Sequence, residues 1–233
     1  MEDARISVII PTLNEEISIV KTLETIERLI NVNEIIIADG GSSDNTVKNV
    51  RNYEGKKPVE IVSVPGATRG KLLNKAAKIA SSEILWFIHA DTRPVQGSGG
   101  QIKRYLNHDS VIGGNFEVIF SGASKSARFL TWLYPHLRSM GLVYGDSAFF
   151  VRKSTFEEIG GFKDMNLFED LDLYKRLKKH GRFVTISLPI ATSARRFEHN
   201  LFALTFFGWT SRQILYWFGF PPRILAKTTR NSR

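Results

Sequence analysis

Ile6-Ser-Val-Ile-Ile10, closed by Pro11, and Glu34-Ile-Ile-Ile-Ala38, closed by Asp39-Gly40-Gly41, decide the fold. Both are nearly unbroken runs of aliphatic residues, not alternations of apolar and polar ones. A strand wet on one face alternates; a strand covered on both faces does not, and double cover is the habit of parallel sheets. Val59 to Val64, ended by Pro65-Gly66, and Ile84-Leu-Trp-Phe-Ile88, ended by His89-Ala90-Asp91, supply two further strands. The spacers read as helices, from about Glu16 to Leu29, Asn45 to Asn52 and Lys71 to Ala80. Ser42 or Ser43, followed by Asp44, offers capping chemistry to the second of them. Strand and helix in alternation predict an α/β domain: a mostly parallel central sheet with right-handed crossovers and helices on both faces.

The second half is less regular. Gly113 to Phe120 reads as a strand, Ser124 to Met140 as a helix interrupted by Pro135, and Ser147 to Val151 as a short apolar segment. A helical turn over Thr155 to Ile159, a helix over Asp170 to His180 and a strand over Val184 to Leu188 follow. Gln96-Gly-Ser-Gly-Gly100 reads as a flexible connection.

Open α/β sheets bind ligands beyond the carboxyl ends of their strands. The polar punctuation of this chain falls there: Thr12-Leu-Asn-Glu15, Asp39-Gly-Gly-Ser-Ser-Asp44 and His89-Ala-Asp-Thr92. Three strand ends each deliver a carboxylate to one edge. Turn and cap chemistry could employ Asp39, Asp44 or Asp91 singly, but explains the three together poorly. Further on, Glu169, Asp170 and Asp172 stand at the start of a helix. Charge complementarity to the helix N-terminus is worth about 0.3–1 kcal/mol, and three acids exceed what that requires.

At these residues the chain resembles family 2 glycosyltransferases, nucleotide-sugar-dependent inverting enzymes of the GT-A fold. The resemblance rests on Ser7-Val-Ile-Ile-Pro-Thr-Leu-Asn-Glu15, Ile36-Ile-Ala-Asp-Gly-Gly-Ser-Ser-Asp-Asn-Thr46, Gly145-Asp-Ser-Ala-Phe-Phe-Val-Arg152, Phe156-Glu-Glu-Ile-Gly-Gly-Phe162 and Phe168-Glu-Asp-Leu-Asp-Leu173. Thr192-Ser-Ala-Arg-Arg196 is similar to a bacterial subgroup called selenodomain-associated transferases. The resemblance implies that Pro11, Leu13 and Glu15 border a nucleoside pocket and that Asp39 hydrogen-bonds the base, usually uracil. It places Arg69 and Lys71 near the donor, and makes Asp91 the last acid of an Asp-x-Asp element that holds Mn2+ or Mg2+ beside the diphosphate. Asp170, with Glu169 beside it, matches the catalytic base, and Gly145 and Asp146 an acceptor-side loop. His89 stands where many relatives carry Asp; it makes a strand-end hydrogen bond or reaches toward the diphosphate. Arg195 and Arg196 are placed on the acceptor side, and His199 is a weaker candidate metal ligand.

Physical chemistry supports those assignments independently. A departing nucleoside diphosphate gains negative charge, which a divalent cation neutralises. Hard cations want oxygen ligands, which Asp91 and phosphates provide. Inversion needs a base opposite the leaving group to take the acceptor's proton.

The 233 residues are 42% hydrophobic and 24% charged, which excludes a disordered or fibrous chain. With no cysteine, disulfides, thiolate metal sites and a cysteine nucleophile are excluded. The acidic start, Met1 to Arg5, is unlike a signal peptide, so a cytoplasmic protein is the expectation. Of the net +9, +6 lies between Arg195 and Arg233, which hold seven Lys or Arg against Glu198 alone. Among them, Asn200 to Pro222 is aromatic and apolar almost all round. It reads as a core helix or as a helix at an anionic membrane surface. The division expected is a catalytic domain over 1–199 and a basic, aromatic helix and tail over 200–233.

Three other functions compete. A sugar-phosphate nucleotidyltransferase would carry a Gly-rich basic loop where Pro11 to Glu15 stands. A nucleic-acid-binding module has the charge but shows no groove-reading motif or stacking platform, so no nucleic-acid partner is expected. A catalytically silent, membrane-associated nucleotide-binding scaffold rests on His89 alone.

Overall fold

The computed structural model describes residues 4–195 and 202–227. One seven-stranded sheet runs in the order β3-β2-β1-β4-β6-β5-β7. Its strands are β1 (Ile6–Thr12), β2 (Val32–Asp39), β3 (Val59–Ser63), β4 (Ile84–Phe87), β5 (Val111–Ser121), β6 (Phe150–Arg152) and β7 (Arg182–Ser193). β6 alone runs antiparallel to its neighbours. The helices are α1 (Ile19–Glu27), α2 (Thr46–Arg51), α3 (Arg69–Ile79), α4 (Ser98–Leu106), α5 (Lys125–Ser139), α6 (Lys153–Glu158), α7 (Glu169–His180), α8 (Phe202–Trp217) and α9 (Pro222–Lys227).

The unbroken apolar runs have the predicted cause. Along the central strands Ile9, Ile36, Leu85 and Phe87 face a core shared with α3, α5, α6 and α7. Ile10, Ile35, Ile37, Ile84 and Trp86 face a second core under α1, α2 and α4. Successive side chains point to opposite faces, so a sheet packed on both sides needs apolar residues at every position.

Four local readings are corrected. Gln96 to Gly100 is no flexible connection: α4 begins there, and a Cβ on Gly99 would lie 2.4 Å from the Ile30 carbonyl oxygen. These glycines let a helix approach a loop closely. Ser42 and Ser43 do not cap α2; Asp44 accepts from the Thr46 N–H at 2.9 Å instead. α5 continues through Pro135, with Leu130 and Tyr134 buried in the core. β7 continues past Leu188, because the register against β5 jumps from Phe116–Ile186 to Val118–Ile190 and so accommodates Pro189, which has no N–H to donate.

Candidate active site

The loops after β1 and β2 are laced together at the carboxyl edge of the sheet. Asn14, left-handed at φ 56°, donates its N–H to Ser42 Oγ at 3.0 Å and accepts from the Ser43 N–H at 2.9 Å. The Glu15 N–H donates to Thr46 Oγ1 at 2.7 Å. Asp39, 2% exposed, accepts from Gly41 N at 2.9 Å and from the Ser42 hydroxyl at 2.5 Å. Its first task is therefore to shape the turn at Gly41, whose φ is 100°. Leu13 is exposed at the rim, and Pro11 lines the crevice below.

The loop after β4 carries His89 and Asp91. An antiparallel bridge between Arg93 and Ala191 of β7 pins it from behind. The Arg93 guanidinium donates to the Ser18 and Thr92 carbonyls, both at 3.2 Å, and to the Thr22 hydroxyl. No motif marks Arg93, and its one signal in the sequence is a cation directly after the carboxylate loop. Burial, with Asp146 and Glu15 nearby, pushes the Asp91 carboxyl up to about 6 against the opposing pull of Arg195.

Arg69, at the start of α3, joins the two halves. It reaches Glu169 Oε1 at 3.3 Å and contacts His89 Nε2. α3 is held against the segment before α7 by Asn74, which donates to the Phe162 carbonyl at 2.7 Å and accepts from its N–H at 2.9 Å. Gly70 permits the approach, since a Cβ there would meet the Lys163 carbonyl oxygen at 2.4 Å. Lys71 is not brought into the crevice. Two residues on, about 200° around the helix, it pairs with Asp164 at 2.8 Å on the surface.

The three acids at the start of α7 separate in the same way. Asp172 turns outward to Lys163 at 2.9 Å and Arg176 at 2.6 Å. Glu169 and Asp170 turn inward, and burial raises both carboxyls above their ordinary range, with Arg69 opposing. Asp170 accepts from the Gly145 and Leu171 N–H groups, each at 2.7 Å. Gly145 belongs to a 3-10 turn, Gly145–Ser147, whose Asp146 pairs with His89 Nδ1 at 3.2 Å. His89 is thereby bonded on both ring nitrogens, joining the loop after β4 and the start of α3 to the Gly145–Ser147 turn. Arg195 lies beside the loops after β1 and β4: it pairs with Glu15 at 3.1 Å and opposes the rise of the Asp91 carboxyl. Arg196 and His199 lie outside the described residues.

Among the described residues no three His, Asp or Glu side chains are grouped to enclose a metal ion. The surplus negative charge that raises Asp91 still suits a cation held by one carboxylate and completed by substrate oxygens.

Comparison with known proteins places this geometry. Residues 7–160 match glycosyl transferase family 2, and the chain belongs to that family. It is 28% identical over 185 residues to a probable glycosyltransferase, YdaM, of Bacillus subtilis, covering 70% of this chain and 44% of that one. Among solved structures it is similar to S. aureus TarS 1-349 in complex with UDP-GlcNAc, at TM-score 0.68 and 18% identity, over 82% of this chain and 59% of that one. It is also similar to the mannosyltransferase PcManGT from Pyrobaculum calidifontis in complex with GDP-Man and Mn2+, at TM-score 0.67 and 21% identity, over 82% and 57%. The fold is GT-A, as the sequence motifs implied. The chain spans less than two thirds of the length of each of these three proteins.

Proposed function

We propose that the chain transfers a hexose from a nucleotide-diphosphate donor, a UDP-sugar, to an acceptor hydroxyl with inversion. Asp170 is the general base, and Asp91 holds Mn2+ or Mg2+ with the diphosphate. The observation that carries this reading is the Arg69 bridge, which ties His89, two residues before Asp91 in the loop after β4, to Glu169, the neighbour of Asp170 at the start of α7. The UDP and Mn2+ complexes of the structural neighbours support the donor and cation class.

The acceptor O–H gives its proton to an Asp170 oxygen as its own oxygen attacks the sugar carbon; the bond from that carbon to the diphosphate breaks. Gly145 and Leu171 fix the carboxylate's direction, and burial raises its proton affinity, which suits it to take a proton. Arg195 and Arg69 supply positive charge on the donor side. Bound cation would neutralise the charge that develops on the diphosphate. Asp39 would meet the base beside Pro11 and Leu13 by exchanging one of its present hydroxyl donors, Thr12, Ser42 or Ser63, for it. Gly145 and Asp146 form the acceptor edge. The same reading places the enzyme in the cytoplasm at an anionic membrane surface, on the strength of the aromatic, basic C-terminal segment.

Incubated with Mn2+ and a panel of acceptor alcohols, UDP-sugars should release UDP, in preference to GDP-sugars releasing GDP. Asp170→Asn should bind donor as wild type does while release falls at least about 100-fold, the usual scale for a general base. Near-normal release from that variant removes Asp170 from the role.

A further inference from the structure

α8 has two apolar faces. The inner face carries Phe202, Phe206, Trp209, Gln213 and Tyr216 at alternating steps of four and three, and its aromatic members pack on the core that also holds α5 and α7. Phe202 and Phe206 stack at 5.7 Å, and each meets Phe129 of α5 at 5.8 Å. The outer face carries Leu204, Phe207, Ile214 and Phe218, all between 43% and 79% exposed. A surface helix with one partner keeps its outer face polar. Trp132, exposed on α5, is in ring contact at 5.8 Å with Phe129, the residue that meets Phe202 and Phe206 of α8, and Phe220 and Ile224 are exposed past the end of α8.

Charge selects the occupant. From His199 to Arg233 there are Arg212, Arg223, Lys227, Arg230 and Arg233, and no acid. Between Ser124 and Met140 there are Lys125, Arg128 and Arg138, again with no acid. No helix among the described residues is long and apolar enough to cross a membrane. Aromatic side chains flanked by cations, without acids, match the boundary of an anionic bilayer. A second copy of the chain would bring the same positive charge against itself.

We propose that the outer face of α8, with Trp132 and the start of α9, docks in the plane of an anionic phospholipid surface. This gives the membrane placement of the preceding reading its contact face, and it does not depend on catalysis. It also sets the acceptor side of the crevice beside lipid. Gln213 accepts from Tyr144 OH at 2.7 Å, and Tyr216 stacks on Phe168 at 4.7 Å. Those two residues directly precede Gly145 and Glu169-Asp170. One helix diameter, about 10 Å, then separates the bilayer from both catalytic segments.

The test is flotation of the full chain with vesicles of phosphatidylcholine plus phosphatidylglycerol, against phosphatidylcholine alone. Wild type should float with the anionic vesicles, and less at high salt. Phe207→Ser with Phe218→Ser should weaken association at least about ten-fold, with thermal midpoint and UDP binding unchanged. Ile30→Ser, an exposed apolar residue elsewhere, should float like wild type. Absence of flotation with anionic vesicles, or equal flotation of the double variant, overturns the proposal. So does a wild-type dimer that the double variant splits while neither floats, or association with single-stranded RNA in place of vesicles. Vesicle binding without nucleotide binding would keep the docking face and remove the transferase reading.

Discussion

Asp91 and Asp170 are both buried acids, but they are compensated differently. Asp170 has two backbone N–H donors and the field of Arg69, while Asp91 has mainly Arg195 against the charges of Asp146 and Glu15. For Asp170 the raised pKa means that the base is protonated, and unable to accept, below that pKa. Turnover should therefore rise with pH through a midpoint above about 3.9, the ordinary aspartate value; a flat pH–rate profile would contradict it. For Asp91, folding disfavours the ionised form. Its contribution to stability is fully present below about pH 3.9 and is lost as pH rises through about 6. Asp91→Asn should therefore stabilise the ligand-free protein at neutral pH by about 3 kcal/mol, with no gain near pH 3. Thermal melts at the two pH values check this. A carboxylate retained at such a cost has the character of a binding group rather than a structural one. Asp91 was legible in the sequence by its place at a strand end, and Asp170 by its place at the start of a helix. Their bonding was not: the Asp146 pairing of His89 and the Glu15 pairing of Arg195 span 57 and 180 positions.

At the scale of elements, the first half of the chain was readable because its strands are doubly buried and its helices short and regularly spaced. Three of the four failures share one source, the use of glycine and proline inside elements rather than at breaks. Gly99 looks like flexibility and is a close approach of α4 to Ile30; Pro135 and Pro189 look like ends and sit inside α5 and a bulge of β7. Gly99→Ala should cost about 1–3 kcal/mol, the range for overpacking, whereas an alanine in a mobile linker would be neutral or slightly stabilising. Denaturant unfolding separates the two outcomes. α8 was ambiguous for a physical reason: an all-round apolar helix reads the same whether one face or both are covered. Because its inner face closes the core, outer-face substitutions examine its surroundings more cleanly than removal of the helix.

Across the whole molecule, the sheet brings the ends of β1, β2 and β4 to one edge, and α7 brings Glu169 and Asp170 to meet them. Three-quarters of this arrangement follows from strand order, since parallel neighbours necessarily present their carboxyl ends together. The remainder, the turn at Gly145 and the helix behind it, depends on contacts between residues far apart in sequence, such as Tyr144 with Gln213. The central claim is that this edge binds a nucleotide diphosphate through a cation on Asp91. Calorimetric titration of UDP and of GDP, each with Mn2+ and with EDTA, tests it most directly. The account predicts UDP binding with Mn2+ that EDTA and Asp91→Asn both abolish. Binding of neither nucleotide under any condition, or UDP binding indifferent to EDTA and to Asp91→Asn, would contradict it.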